Sequence, residues 1–475
     1  MPATKTKLTQ STQLPPGDGR RTLTSANEKR QSGSKIKPTD GSNKQTKKTA
    51  STKSGQATQL NPQAELDLIC DQSTLDDYLN FVSRGIPHNP TLPILNNVLF
   101  EADATEQLLH LTTYNLEFGM RASMKAKILS SGVMTLPMAV FQQMVRKFPH
   151  GEIGLSGYIT ASSQDSEPQL KATLSTPTDP SKRFEFMGMV ADEFPALPKV
   201  KTKLITLPAS LLVAQLSGSL FAASSDETKK ILNGSHFMFD GDSEREVNSL
   251  KTWTTDGHRL ALMQGLIERK SNETISEPIG FTVPIKVLRE LERNLNPTEK
   301  VTIYFEPSPN SETGAGVAIF EWSNKRLVTH SLEGQYPDCE AAIKPLRDQY
   351  CRSFTVERIA LQKTLERFIV LTDKSHKAMT VQLDSKTQKV CLRMEHDGIG
   401  SGTETLDIQM QGDDLKLLYD VRYLLEIVKA IPTSEIRIHL ATPITPTLIQ
   451  PLGLGGSNGI PVEAEYILAP LAGSE

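Results

Sequence analysis

At 475 residues, with 37% hydrophobic and 23% charged side chains, the chain is too long for a single core and fits about three globular domains. Its four cysteines, Cys70, Cys339, Cys351 and Cys391, stand far apart with no C-x-x-C pair, so neither a zinc site nor a disulfide framework is indicated, and a reducing cytosol fits. No apolar run approaches the roughly 18 residues that span a bilayer, and the N-terminus lacks the apolar core of a secretion signal, so a soluble, cytoplasmic protein is expected.

Charge is unevenly distributed. Residues 1–60 carry twelve Lys or Arg against Asp18, Glu28 and Asp40, a net +9, while the remainder has 40 basic and 52 acidic residues, a net −12. The segment 1–64 is rich in Ser, Thr, Gln, Lys and Gly and poor in groups that bury surface, so it predicts a disordered basic tail: a solvated spacer or an arm touching nucleic acid non-specifically.

The first domain, residues 65–198, opens on Leu75, Tyr78, Leu79 and Val82, the i, i+3, i+4, i+7 spacing of an amphipathic helix. After Leu136-Pro137, a helix-start signal, Phe141, Met144, Val145 and Phe148 mark a second helix, and strand-like Glu152-Ile153-Gly154-Leu155 follows. Phe194-Pro195-Ala196-Leu197-Pro198 closes the unit. The second domain, residues 199–346, repeats the order: Val213, Leu216 and Leu220; then, after Val283-Pro284, Leu288, Leu291 and Leu295; then a strand over Val301–Phe305. Its end is placed near Lys344-Pro345-Leu346. The third, residues 347–475, has Leu361, Leu365 and Phe368, then, after Tyr419-Asp420, Val421, Leu424, Leu425 and Val428 before a strand over Ile436–Leu440. The first helix recurs at offsets of 138 and 148 residues and the second at 147 and 136, so whole domains repeat in tandem rather than solenoid units. Strands dominate by length, which predicts an α+β fold of three tandem domains, each with two helices packed on antiparallel sheets.

Within the second domain, Leu250–Gly265 reads LKTWTTDGHRLALMQG. Thr254 and Thr255 suit a strand, Asp256-Gly257 signals a two-residue turn, and Leu260–Met263 resumes as a buried strand, so a β-hairpin is predicted with His258 and Arg259 beside an apolar wall. Gly-rich Pro307–Gly316 and Gly453–Gly459 read as hairpin loops and lack the Lys-Ser or Lys-Thr of a phosphate cradle. The nine histidines are scattered; His110, His236 and His439 sit in strand-like stretches. Asp256 with His258 is one acid–imidazole pair without the third ligand a metal site needs, and no nucleophile–base–stabiliser set appears. No catalytic residue, metal or cofactor is expected.

Opposite the apolar helix faces lie Arg146 and Lys147, then Lys286, Arg289 and Arg293, then Arg422 and Lys429, diluted by Glu290, Glu292 and Glu426. They read either as ordinary solvated faces or, if the repeats are arranged cyclically with helices inward, as a lining that attracts a phosphate backbone without reading bases.

The heptapeptide Thr255-Asp256-Gly257-His258-Arg259-Leu260-Ala261 resembles a signature of the bacterial DNA polymerase III beta subunits, the replicative sliding clamps. Pro90–Leu95, Phe194-Pro195, Leu232-Asn233-Gly234, Tyr336-Pro337-Asp338 and Tyr466–Leu471 are similar to further stretches of that family, and the resemblance covers residues 66–475. It implies a closed ring of two head-to-tail subunits, with helices of the clamp domains lining a hole around duplex DNA. It further implies no catalysis, and as partners the polymerase III catalytic subunit, an ATP-dependent clamp loader and other clamp-binding replication and repair proteins. Carried onto this chain, the partner-peptide cleft comprises Leu232, Thr255, Gly257, His258, Arg259, Leu260, Pro337, Asp420, Tyr423, Ile444, Ile467, Leu468, Pro470 and Leu471. The subunit boundary sets Phe184 and Phe186 against Val370 and Leu371. Departures fall at Ala341, Ala469 and Ala472, where the family commonly has arginine, methionine and arginine, and at Asn89, where an arginine often approaches DNA. A clamp-like peptide-binding adaptor that is not loaded on DNA is the alternative reading.

Overall fold

Helices occupy all six positions that the apolar spacing marks. They are α1 (Gln72–Val82), α2 (Met138–Lys147), α3 (Ala209–Ser219), α4 (Ile285–Asn294) and, beyond an additional α5 (Cys339–Arg347), α6 (Arg358–Phe368) and α7 (Val421–Ala430). The structure, a computed structural model, describes residues 66–160, 169–242, 244, 246–269, 275–309, 311, 314–453 and 462–472. The basic tail lies outside these residues, as do most of Gly453–Gly459 and part of Pro307–Gly316.

Local chemistry sets the helix starts. The Asp71 carboxylate accepts from the Thr74 N–H at 2.8 Å and Asp420 from the Arg422 N–H at 3.0 Å, each satisfying a donor that the first turn leaves over. Pro137, Pro208 and Pro284 hold the N-cap position of α2, α3 and α4, where no intrahelical donor is needed from them. The helices are short, and burial of one face holds them in place. Phe141 of α2 is fully buried, with the rings of Phe100 and Phe186 edge-on at 5.3 Å each. Truncation of Phe141 to Ala is expected to cost about 3–5 kcal/mol.

The strands form antiparallel sheets of five, eight, nine and four strands. Two of these sheets are continuous across the repeats. Lys325–His330 pairs with Phe118–Lys125, Leu327 opposite Met120, and merges strands of the first and second repeats. Arg259–Glu268 pairs with Val462–Leu468, Leu260 opposite Ile467, and merges the second repeat with the last strand of the chain. The five-stranded sheet belongs to the first repeat and ends on Asp179–Gly188; the four-stranded sheet belongs to the third and ends on Gly400–Asp407. One buried cluster runs through the first two repeats and another fills the third.

Helix α5 occupies the stretch near Lys344-Pro345-Leu346 where sequence places a boundary. Asp338 caps it, accepting from the Ala341 N–H at 3.0 Å. Pro345 withholds a hydrogen bond from the carbonyl of Ala341, a residue that is exposed to solvent. Burial of Cys339 and Ile343 in one cluster with Leu260 seats the helix on the strand that carries Leu260.

Candidate partner-binding site

The Asp256-Gly257 pair predicts a two-residue turn, but the strands pair Thr255 with Leu260 and leave the four residues Asp256 to Arg259 between them. Side chains stabilise this wider turn. Asp256 Oδ1 accepts from the N–H groups of His258 and Arg259 at 2.8 and 3.1 Å. Thr255 Oγ1 accepts from the Gly257 N–H at 3.1 Å and donates to the Arg259 carbonyl at 2.6 Å. Gly257 has φ +93°, a conformation that disfavours any side chain there.

Arg259 is 7% exposed, and its guanidinium is used inside the molecule. It bonds the Asp256 carboxylate at 3.2 Å, pairs with Glu426 of α7, and donates to the Phe221 carbonyl at 2.7 Å. It also lies over the rings of Tyr423 and Phe221, 4.4 and 5.2 Å from their centres. His258, outside this knot and exposed, stacks on Tyr423 with centroids 6.0 Å apart. Arg259 therefore positions the turn, leaving His258 to the solvent.

Leu260 and Ile467, both 8% exposed, pack in one cluster with Trp253, Leu262, Tyr336, Cys339, Ile343 and Leu448, against which Leu232 lies half-buried. The cleft residues expected from sequence include Leu232, Leu260 and Ile467 of this cluster but not Trp253, Leu448 or Tyr336, which sequence singles out only within Tyr336-Pro337-Asp338. Tyr336 matters most of these: its hydroxyl accepts from the Thr255 N–H at 3.0 Å, and with Trp253 it sandwiches His236 at centroid distances of 5.2 and 5.4 Å. Burial pushes His236 down to about 4 and keeps it neutral. His236 and Trp253 meet only because their two strands pair them directly opposite each other.

The C-terminal segment is pinned to the same edge. The Ala469 N–H donates to the His258 carbonyl at 2.9 Å and the Leu471 N–H to the Leu418 carbonyl at 2.8 Å. Leu468 is buried, Pro470 and Leu471 are half-buried, and Pro337 is exposed just before α5. Asp420 is buried. Burial alone raises its carboxyl, but hydrogen bonds and charge from Arg422, with Lys377 at 3.4 Å, outweigh this and hold it below the usual carboxylate range. Ile444 stands apart from the cluster, 77% exposed in the turn between Glu435–Leu440 and Thr447–Leu452.

Of the cationic helix residues, four are paired: Arg146 with Asp76, Arg293 with Glu290, Arg422 with Asp420 and Lys429 with Glu366. Lys147, Lys286 and Arg289 are exposed and in no salt bridge among the described residues. The Arg422–Asp420 pair links a residue assigned to DNA with one assigned to the cleft. At the sheet ends, Phe184 is 44% exposed on Asp179–Gly188 and Val370 is 74% exposed after α6, whereas Phe186 is buried and Leu371 packs on the core of its own repeat.

Similarity to known proteins follows the three repeats. The DNA polymerase III beta subunit family matches with its N-terminal domain over residues 66–198, its central domain over 206–338 and its C-terminal domain over 348–454. The beta sliding clamp of Synechococcus elongatus is 33% identical over 86% of this chain and 99% of its own length, and that of Synechocystis sp. is 35% identical over 82% and 96%. A DNA polymerase sliding clamp from Bacillus subtilis superposes with TM-score 0.73 at 20% identity, covering 86% of this chain and all of its own. A sliding clamp from Pseudomonas aeruginosa bound to griselimycin gives 0.70 at 19%, covering 86% and 99%. The chain belongs to the DNA polymerase III beta subunit family, the non-catalytic beta sliding clamps.

Proposed function

We propose that this DNA sliding clamp closes head to tail with a second copy around duplex DNA in the cytoplasm, and that the site around Leu232, Leu260 and Ile467 holds the polymerase III catalytic subunit during synthesis. The observation that supports closure is the pair of sheet ends. Among the described residues, Asp179–Gly188 and Gly400–Asp407 each leave one edge without a strand partner, in sheets from the first and third repeats. Unpaired edges beside exposed Phe184 and Val370 invite pairing with a neighbour, and a heterologous contact of this kind builds a ring when its rotation closes. Lys147, Lys286 and Arg289 supply charge for contact with phosphates that carries no sequence information.

The partner site has the composition of a peptide anchor: a half-buried Leu232 on an apolar cluster, with exposed His258 and Pro337 at the rim. An ATP-dependent loader and other clamp-binding replication and repair proteins would use the same site in turn. The basic tail adds at most a salt-sensitive DNA contact. The test is retention on nicked circular DNA before and after linearisation. A linked ring stays on the circle and slides off free ends; equal retention on both forms overturns encirclement.

A further inference from the structure

Asp373, His376 and His396 converge although they come from two separate segments. Asp373 and His376 lie in the turn between Ile369–Leu371 and the strand Ala378–Asp384, and His396 ends the strand Lys389–His396. Their ligand atoms all lie within 4.8 Å of one another, and the two rings are 4.1 Å apart at their centres.

The hydrogen bonds around the cluster fix which atoms are available. Asp373 Oδ1 is occupied by the turn, accepting from the N–H groups of Ser375 at 2.7 Å and His376 at 2.6 Å and from the Ser375 hydroxyl at 2.9 Å. Its other oxygen, Oδ2, has His396 Nε2 at 2.9 Å and His376 Nδ1 at 3.2 Å, the latter nitrogen also 3.2 Å from Oδ1 and from the Ser375 hydroxyl. His396 Nδ1 lies 2.9 Å from the Asp397 carbonyl, which can only accept, so Nδ1 carries the proton. Nε2 therefore faces Asp373 Oδ2 either with a second proton, as an imidazolium paired with the carboxylate, or with its lone pair open to a metal ion. The backbone carbonyl bond on the far nitrogen is the outer-shell contact that orients ligating histidines.

We propose that Asp373 Oδ2, His376 Nδ1 and His396 Nε2 form a three-ligand site for a divalent transition-metal ion of the zinc class. Two imidazoles and one carboxylate suit that class, and a tetrahedral ion with bonds of about 2.0–2.2 Å sets its ligand atoms roughly 3.3 Å apart. The observed 2.9 and 3.2 Å separations need only a few tenths of an ångström of adjustment. Asp373 and His376 are exposed, so water can fill the fourth position, while His396 at 7% exposure anchors the site to the sheet. Cysteine spacing could not reveal this site, because no cysteine takes part.

The location gives the ion a purpose. His396 pairs with Gly400 of the terminal strand, and Val370 and Leu371 immediately precede the turn. A bound ion ties that turn to the sheet that carries the proposed ring contact. This consequence rests on the ring reading; the metal site does not.

The test titrates the full-length, chelator-treated protein with zinc chloride by calorimetry, and with cobalt(II) to read visible d–d absorption. Saturation at one ion per chain is expected, with affinity reduced about tenfold or more in both His376→Ala and His396→Gln and retained in Cys351→Ser, which removes the exposed thiol. Stoichiometry per chain is independent of oligomeric state, so a failed ring reading leaves this result interpretable. Absence of saturable binding, binding unchanged in both histidine variants, or binding lost only in Cys351→Ser overturns the proposal. So does an NMR titration in which His396 gains a proton while excess zinc leaves its resonances unmoved.

Discussion

The Arg259 guanidinium lies 4.4 Å from the centre of the Tyr423 ring, and through that contact the Asp256–Arg259 turn is held against α7. A residue that sequence places in a partner cleft thus joins the hairpin of the second repeat to a helix of the third. Arg259→Ala leaves Asp256 without its partner in a site where Asp256 is 12% exposed. A loss on the order of 3 kcal/mol in unfolding free energy is expected. Arg259→Lys should recover only part of it, because an ammonium cannot keep the planar stack and three separate partners. Chemical denaturation of the two variants checks this, and equal stability of Lys and wild type would refute it.

Leu232 and Leu260 together test the partner site. Leu260 is 8% exposed and belongs to the core, so Leu260→Ala carries a stability cost of roughly 2–4 kcal/mol, whereas half-buried Leu232→Ala should cost less. The double variant is expected to remain a dimer on circular DNA yet lose binding of the polymerase C-terminal peptide by about a hundredfold, since short peptides depend on a few anchors. Fluorescence titration of that peptide against Leu232→Ala alone separates contact from destabilisation. Unchanged affinity in both variants would place the site elsewhere.

The ring contact is best probed at Val370. Leu371 packs on its own repeat's core, so Leu371→Asp combines a folding defect with any effect on assembly, while Val370 is 74% exposed. Val370→Asp should leave the melting temperature of the isolated chain nearly unchanged and shift the protein from dimer to monomer, because a closed contact would bury an unpaired carboxylate. Sedimentation velocity reads the outcome, and an undisturbed dimer would remove Val370 from the contact.

His236 should make stability depend on pH. Its folded value near 4 lies below the ordinary 6.5, so the unfolded chain binds the proton more readily between these limits. The contribution is fully present above pH 6.5 and is lost as pH falls from there towards 4, amounting to about 1–3 kcal/mol. His236→Phe keeps a ring between Trp253 and Tyr336 without the titration, and the slope of unfolding free energy over this window should flatten. An unchanged slope would show that His236 is accessible to protons in the folded state.

Charge reversal at Lys286 and Arg289, the exposed cations on α4 without a salt bridge among the described residues, should weaken DNA association and reduce its salt dependence. The same reversal at Arg293, already paired with Glu290 at 2.7 Å, should matter less. Binding isotherms at two salt concentrations compare them.

Sequence determined the periodic part of this protein. Apolar residues at i, i+3, i+4 and i+7 specify which face each short helix must bury, so α1 to α4, α6 and α7 lie where the spacing puts them, and Asp420 announces its own capping role. The heptapeptide around Gly257 likewise carried the family resemblance in local chemistry. What depended on distance along the chain was decided only in three dimensions. Cys339 and Ile343 gain burial from a strand some eighty residues earlier, which seats a helix in the stretch where the sequence places a domain end. Arg259 meets Glu426 and Tyr423, and His396 meets Asp373, because sheets bring remote segments edge to edge. Pairing energies of that kind depend on which strands become neighbours, and residue spacing within a single segment does not encode them.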